Sequence, residues 1–304
     1  MGGGNMLLTG VLLALTTGLF WNVSGIVNSV CARKKYDLYS YLLTNSIFTA
    51  VLTGVISGAF KGVFKEKLLL FAAVSIVAGV INTAGALMLQ KALQHGHHGI
   101  VFMISQSAPA IPFIAGMCFL GDKPSFLKVG GVILIFTGMV LAALPKLREK
   151  RQTAKMENRK WLVPALCSFG CFGIAHTMLA LPSLMSLPDG AGGYRTFLFY
   201  CGSSLLMITA VTLRRSSGNL AVNRVLLLIG AFAAVLNVCS MNIFFKALDH
   251  LAAGHAVGLG SPVATSASLA GFTLYSWFYL REKRSWAALA GLLCICAGAV
   301  AASF

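Results

Sequence analysis

Long stretches without a charged residue dominate the chain, and short charged segments separate them. The uncharged stretches are residues 1–32, 38–60, 68–90, 92–121, 129–145, 161–188, 196–213, 225–245, 250–280 and 285–304. An apolar helix needs about 20 residues to cross a bilayer, and it satisfies its own backbone polar groups in lipid. The pattern predicts an all-α membrane protein with ten transmembrane helices. The predicted spans are 6–31, 38–60, 68–91, 99–120, 126–145, 161–186, 192–213, 225–247, 253–280 and 285–303.

Composition and charge agree with this prediction. The chain is 57% hydrophobic and 11% charged, whereas a soluble domain carries about 25% charged residues. The net charge of +16 comes from Lys and Arg in short loops, which orient helices and face anionic lipid. We therefore expect a lipid bilayer as partner rather than nucleic acid. Most of these residues follow odd-numbered spans, which predicts cytoplasmic odd loops, both termini outside, and a multi-pass protein of the inner (plasma) membrane.

The two halves of the chain repeat each other. Lys91-Ala92-Leu93 corresponds to Lys246-Ala247-Leu248, and Gly131 and Gly138 correspond at one constant offset to Gly291 and Gly298. The repeats are residues 1–147 and 161–304, and a basic linker, 148–160, separates them. Five spans per repeat give the repeats opposite orientations in the membrane. The sequence therefore predicts two inverted five-helix repeats, an architecture typical of secondary transporters.

These residues also carry a family resemblance. The chain resembles the ten-helix EamA-like members of the drug/metabolite transporter superfamily, through an acidic residue followed by two glycines in each half and an aromatic pair in the first span. The residues are Asp122, Gly131 and Gly138; Glu282, Gly291 and Gly298; and Phe20-Trp21. Two positions depart from the pattern, since Asp122 stands where Glu is usual and Gly173 where Trp is usual. The resemblance implies a carrier with a small-molecule substrate.

Polar residues and prolines within the spans, with an arginine at the start of the seventh, are the candidate substrate-binding residues. They are Trp21, Asn22, Asn82, Gln106, Pro109, His176, Arg195, Asn237, Ser261 and Thr265. Buried amides need polar partners, so they either join helices, at about 0.6 kcal/mol each, or line a polar central cavity. Pro109 and Pro262 break helices at matching places in the two halves. Such breaks indicate either a binding site or a packing kink.

Two ionisable candidates have alternative interpretations. Arg195 is either an anchor at the membrane interface or a ligand for a substrate carboxylate or phosphate. His176 is either a hydrogen-bonded packing residue or a group that senses protons or binds substrate. No carboxylate lies in the middle of a predicted span. Facilitated diffusion or exchange is therefore favoured over carboxylate-based proton antiport.

The same residue distribution predicts that the chain is not an enzyme and holds no cofactor or metal. Its acidic residues fall in loops or at helix ends, and no phosphate-binding glycine loop or catalytic triad spacing occurs. The leading hypothesis is a secondary transporter of small organic metabolites, such as amino acids or related compounds, that exports or exchanges them by alternating access. Two alternatives remain: an uptake carrier for a neutral sugar-like solute, and a non-transporting membrane scaffold. The sequence predicts no oligomeric state.

Overall fold

The computed structural model of the protein is helical throughout the part of the chain that it describes. The described residues are 2–34, 36–58, 67–95, 101, 104–123, 125–151, 161–185, 194–215, 224–279 and 286–302, and none of them is in a β-strand. The linker predicted at 148–160 lies outside this part beyond Arg151. Glu282 also lies outside it.

The α-helices are α1 (Gly2–Arg33), α2 (Leu38–Ile56), α3 (Lys67–His95), α4 (Ala110–Phe119), α5 (Phe126–Arg151), α6 (Leu162–Ala180), α7 (Tyr194–Arg215), α8 (Arg224–Ala253), α9 (Gly260–Phe278) and α10 (Trp286–Ala302). Short 3-10 turns at Leu181–Leu184 and Val257–Leu259 follow α6 and precede α9. Among the described residues, six helices are long and apolar enough to cross a membrane, and they correspond to α1, α2, α3, α6, α7 and α8. Ile104–Phe119, Phe126–Leu141 and Trp286–Ala301 are shorter apolar helices.

Several helix ends differ from the predicted span ends. Helix α8 runs to Ala253, beyond the predicted end at 247, and α5 runs to Arg151, beyond 145. The predicted span ends assume that a charged residue ends a helix. A helix can continue past a charged residue, however, when its side chain reaches solvent or an ion partner. Lys246 is exposed, and Asp249 pairs with Arg195, so α8 continues past both.

The predicted proline breaks are partly wrong in their placement. Pro109 is the last residue of a turn at 107–109 and lies directly before α4, so the chain does interrupt its helix there. Pro262, by contrast, lies in the first turn of α9. Backbone N–H groups in the first turn have no acceptor within the helix, so a proline there costs no helical hydrogen bond. It begins a helix rather than breaking one.

The helices pack in a recurring set of pairs. Helix α1 packs against α8 and α9, α3 packs against α6 and α7, α2 packs against α7 and α8, and α5 packs against α10. The interior contains Phe244, Leu248 and Leu251, which are fully buried. Large apolar side chains such as Leu69 and Leu228 point outward and are largely exposed. A surface of this kind requires a lipid environment, as the sequence predicted.

Candidate functional site

Two candidate residues meet at the centre of the bundle. The Trp21 ring of α1 lies 5.9 Å from the His176 ring of α6 and 5.1 Å from the Phe244 ring of α8, measured between ring centroids. His176 Nδ1 is buried and has no hydrogen-bond partner, and the same holds for Oδ1 of Asn22, which follows Trp21 in α1. Asn22 lies against Gly271 of α9, where a Cβ atom would come 2.6 Å from its Nδ2. The centre therefore combines aromatic faces with buried polar atoms that lack partners.

Another candidate, Asn237, joins helices. Its Nδ2 donates to Oδ1 of Asn45 at 2.9 Å and so links α8 to α2. Nearby on α8, Asn242 Oδ1 accepts a hydrogen bond from the Thr196 hydroxyl of α7 at 3.1 Å. Asn45 was not among the predicted site residues. The signal that identified Asn237 and the other candidate amides, an amide within an apolar stretch, applies equally to Asn45. Asn237 and Asn45 are joined by one hydrogen bond, which matches the helix-joining interpretation of the buried amides.

Arg195 sits at the start of α7, where α6 and α8 end, and we call this end of the bundle the Arg195 end. Its side chain is only 5% exposed, and its Nη1 donates to Asp249 Oδ1 at 2.8 Å and to Ser183 Oγ at 3.0 Å. The guanidinium also lies over the Phe245 ring, 5.6 Å from its centroid. Nε is buried and has no hydrogen-bond partner. Arg195 is therefore a buried cation with one side engaged.

Asp122 forms a second contact at the same end. Its carboxylate accepts hydrogen bonds from the backbone N–H groups of Val257 at 2.8 Å and Gly258 at 2.7 Å. Backbone N–H of the next residue, Lys123, donates to the carbonyl of His255 at 2.9 Å. A carboxylate at the first N–H groups of a helical segment is favoured by the orphan donors there. The sequence identified Asp122 only through the family resemblance, and its role as a link to the second half was missed.

The other candidates occupy separate places. Ser261 and Thr265 are buried in α9, Asn82 is half-buried in α3, and Gln106 and Pro109 precede α4. An open surface groove of about 310 Å³ lies between the end of α1 and the start of α8. Its lining is apolar and includes none of the ten candidates: Ile26, Val27, Val30, Leu228, Ile229 and Phe232. The structure thus brings Trp21 and His176 together, places the Asn22 side chain against α9, and places Arg195 at one end of the bundle.

Within the described residues, no group of three or more His, Cys, Asp or Glu side chains is placed to hold a metal ion. The described cysteines are unpaired, and Cys171 packs against Gly85 of α3. What the site offers chemically is recognition: aromatic faces, an imidazole, amides and one guanidinium.

Comparisons with known proteins agree with this architecture. Residues 8–144 match the model of the EamA-like transporter family. An uncharacterised protein of Methanocaldococcus jannaschii is 28% identical over 137 residues, which are 45% of this chain and 97% of that protein. A solved crystal structure shares the fold with a TM-score of 0.67 at 15% identity, and the alignment covers 97% of this chain and 98% of the other.

Proposed function

We propose that this member of the EamA-like transporter family, matched over residues 8–144, is a secondary transporter that exports or exchanges small organic metabolites, amino acids or related compounds. Family membership makes the chain a multi-pass membrane transporter of small solutes, as the resemblance predicted. The family consists of transporters, which agrees with the prediction that the chain is not an enzyme. Beyond what the family match supports, we propose that the chain has ten spans in two inverted repeats, works by alternating access and carries organic metabolites.

The observation that carries the proposal is the packing of α5 against α10. A Cβ atom on Gly138 would lie 2.5 Å from the Gly291 carbonyl oxygen and 2.8 Å from Ile295 Cγ1. A Cβ atom on Gly298 would lie 2.5 Å from the Gly131 carbonyl oxygen and 2.9 Å from Ile135 Cγ1. If each residue is replaced by its equivalent in the other repeat, the first contact becomes the second. The two helices run antiparallel. Equivalent helices in opposite directions support an inverted repeat.

The remaining helix pairs support the same arrangement. The contact of α1 with α8 corresponds to that of α6 with α3, and the contact of α2 with α8 corresponds to that of α7 with α3. Exchanging the first five helices for the last five converts each pair into its counterpart. The M. jannaschii relative adds support, because the aligned 137 residues are nearly all of that protein but under half of this chain. A half-length unit thus occurs as a separate protein.

The central residues support a solute site that both halves share. Trp21 and Asn22 belong to the first half, and His176 and Phe244 belong to the second. At the Arg195 end, Asp122 links the two halves, and Arg195 links the start of α7 to the end of α8. Contacts that hold one end of the bundle closed are compatible with one state of an alternating-access carrier.

Counterflow in proteoliposomes tests the proposal. Vesicles preloaded with a mixture of the twenty unlabelled L-amino acids should accumulate at least one labelled amino acid transiently, because an exchanger couples its entry to efflux. Trp21→Ala should abolish accumulation, whereas Leu69→Ala, on the outer surface, should not. A second set of vesicles is preloaded with unlabelled sugars, and counterflow of a labelled sugar there but of no amino acid would favour the sugar-carrier alternative. No counterflow with any solute class would favour a scaffold.

A further inference from the structure

The guanidinium of Arg195 is engaged on one side only. Asp249 and Ser183 both accept from Nη1, and Nε is buried without a partner. A carboxylate can bind arginine through two parallel hydrogen bonds at the edge formed by Nε and Nη2. Asp249 therefore leaves unused the edge best suited to a second carboxylate. A buried donor without a partner is costly, so a ligand that satisfies it gains a specific advantage.

The ion partner of Arg195 is also poorly buried. The Asp249 side chain is 49% exposed, whereas that of Arg195 is 5% exposed. Asp249 makes its ion pair through a single oxygen, Oδ1. An exposed, singly bonded carboxylate loses little when it returns to water. The geometry of the pair thus fits a partner that a solute can displace.

Aromatic rings connect this arginine to the centre of the bundle. Arg195 lies over Phe245, whose ring centroid is 6.4 Å from that of Phe244. Phe244 contacts Trp21, and Trp21 contacts His176. Arg195 is therefore the cationic end of a continuous set of side chains that begins at the proposed solute site.

We propose that Arg195 binds the carboxylate of the transported solute through its Nε edge, and that Asp249 neutralises Arg195 when no solute is bound. The inference rests on the proposed transport function and narrows its substrate class to metabolites with a carboxylate. The solute carboxylate weakens the ion pair between Arg195 and Asp249 when it binds. This ion pair links the start of α7 to the end of α8. Solute binding and release of the Arg195 end are then coupled, because both use the same guanidinium.

Binding of matched ligand pairs tests the inference. The twenty L-amino acids and their methyl esters are compared by ligand-induced stabilisation of the purified protein over a range of concentrations. For each amino acid that binds, the ester should bind at least about tenfold more weakly, since it lacks the charge-assisted hydrogen bonds. Arg195→Lys should remove this difference, because lysine keeps a charge for Asp249 but has no Nε edge.

Two further variants separate a binding role from a structural one. Asp249→Asn removes the competing carboxylate and should strengthen acid binding by about tenfold, an effect that a purely structural ion pair would not produce. Arg214→Gln, which breaks the ion pair of Arg214 with Asp37 at the other end of α7, is the matched control and should leave the preference for acid over ester unchanged. Asp249→Asn and Arg195→Lys both keep side chains of similar size with a hydrogen-bonding group, and a cooperative unfolding transition without ligand shows that each variant is folded before binding is compared.

The outcomes distinguish the inference from the proposed function. If acids and esters bind equally, or Arg195→Lys keeps the preference, Arg195 is a structural residue and the inference is wrong while transport stands. Weaker acid binding in Asp249→Asn leads to the same conclusion. If neither acids nor esters bind, both the inference and the proposed amino-acid substrates are wrong.

Discussion

The two ends of α7 carry ion pairs of identical length and different surroundings. Arg195 Nη1 lies 2.8 Å from Asp249 Oδ1 near the start of the helix, and Arg214 Nη1 lies 2.8 Å from Asp37 Oδ1 near its end. The Arg195 side chain is 5% exposed and that of Arg214 is 47% exposed. Each guanidinium also lies over an aromatic ring, Phe245 or Tyr39 respectively. Apart from the additional hydrogen bond of Arg195 to Ser183, the two arginines make the same kinds of contact, so burial is the main difference between the two pairs.

Burial determines how strongly each arginine depends on its carboxylate partner. In water, a broken surface pair leaves two solvated ions, so the pair is worth about 0–1 kcal/mol. A cation out of water depends on its partner, and removing that partner leaves an uncompensated charge. Arg195 therefore depends on Asp249, or on a solute in its place. Arg214 depends little on Asp37. The surroundings of Arg195 therefore separate the arginine that we propose to bind solute from Arg214.

The largest effect should follow the loss of Asp249. Asp249→Ala should destabilise the ligand-free protein by roughly 2–3 kcal/mol, at or below the lower end of the values for buried pairs because Asp249 itself is half-exposed. The free energy of unfolding in detergent, from denaturant titration, measures it. A loss as small as that of Arg214→Gln would show that burial does not separate the two pairs.

A smaller effect should follow the loss of Asp37, and it should come mainly from the helix cap. Asp37 Oδ2 accepts from the Ser40 backbone N–H at 3.0 Å and from its hydroxyl at 2.7 Å, which caps α2. Asp37→Ala should therefore cost about 1 kcal/mol. Arg214→Gln, which spares the cap, should cost at most about 0.5 kcal/mol. Equal losses in the two variants would mean that the ion pair, not the cap, holds this end.

The smallest effect should be the acid dependence of the Asp37 contribution. Burial alone raises the pKa of Asp37, but hydrogen bonds from Ser40 and the Arg214 guanidinium outweigh it and hold that pKa below its ordinary value. A carboxylate with a lowered folded-state pKa stabilises above its unfolded pKa, and this stability is lost as pH falls through the folded value. The stability difference between wild type and Asp37→Ala should thus shrink between about pH 5 and about pH 2. An unchanged difference over that range would contradict the assignment.

Sequence reasoning found the helices because charge-free stretches are set by the bilayer, a constraint visible residue by residue. It erred at Ala253, because α8 continues past Lys246, which faces solvent, and past Asp249, which pairs with Arg195. It also erred at Arg151, because α5 continues past the charged residues that were expected to end it. The glycine pairs of α5 and α10 were also visible, since equivalent positions keep a constant offset. The contact of Trp21 with His176 and the cap that Asp122 provides were not, because they join residues far apart in the chain. No local pattern indicates which buried polar residue finds a partner, as Asn237 does in Asn45 and Arg195 Nε does not.

The central claim is that equivalent loops of the two halves face opposite sides of the membrane, and single-cysteine labelling tests it most directly. In a background with the eight native cysteines replaced by alanine, Lys123→Cys and Lys283→Cys place one thiol in each of the equivalent loops. Intact cells are treated with a membrane-impermeant maleimide, with permeabilised cells as the control for reactivity. The inverted repeat predicts that only one of the two cysteines reacts before permeabilisation. Reaction of both, or of neither, in intact cells would contradict it.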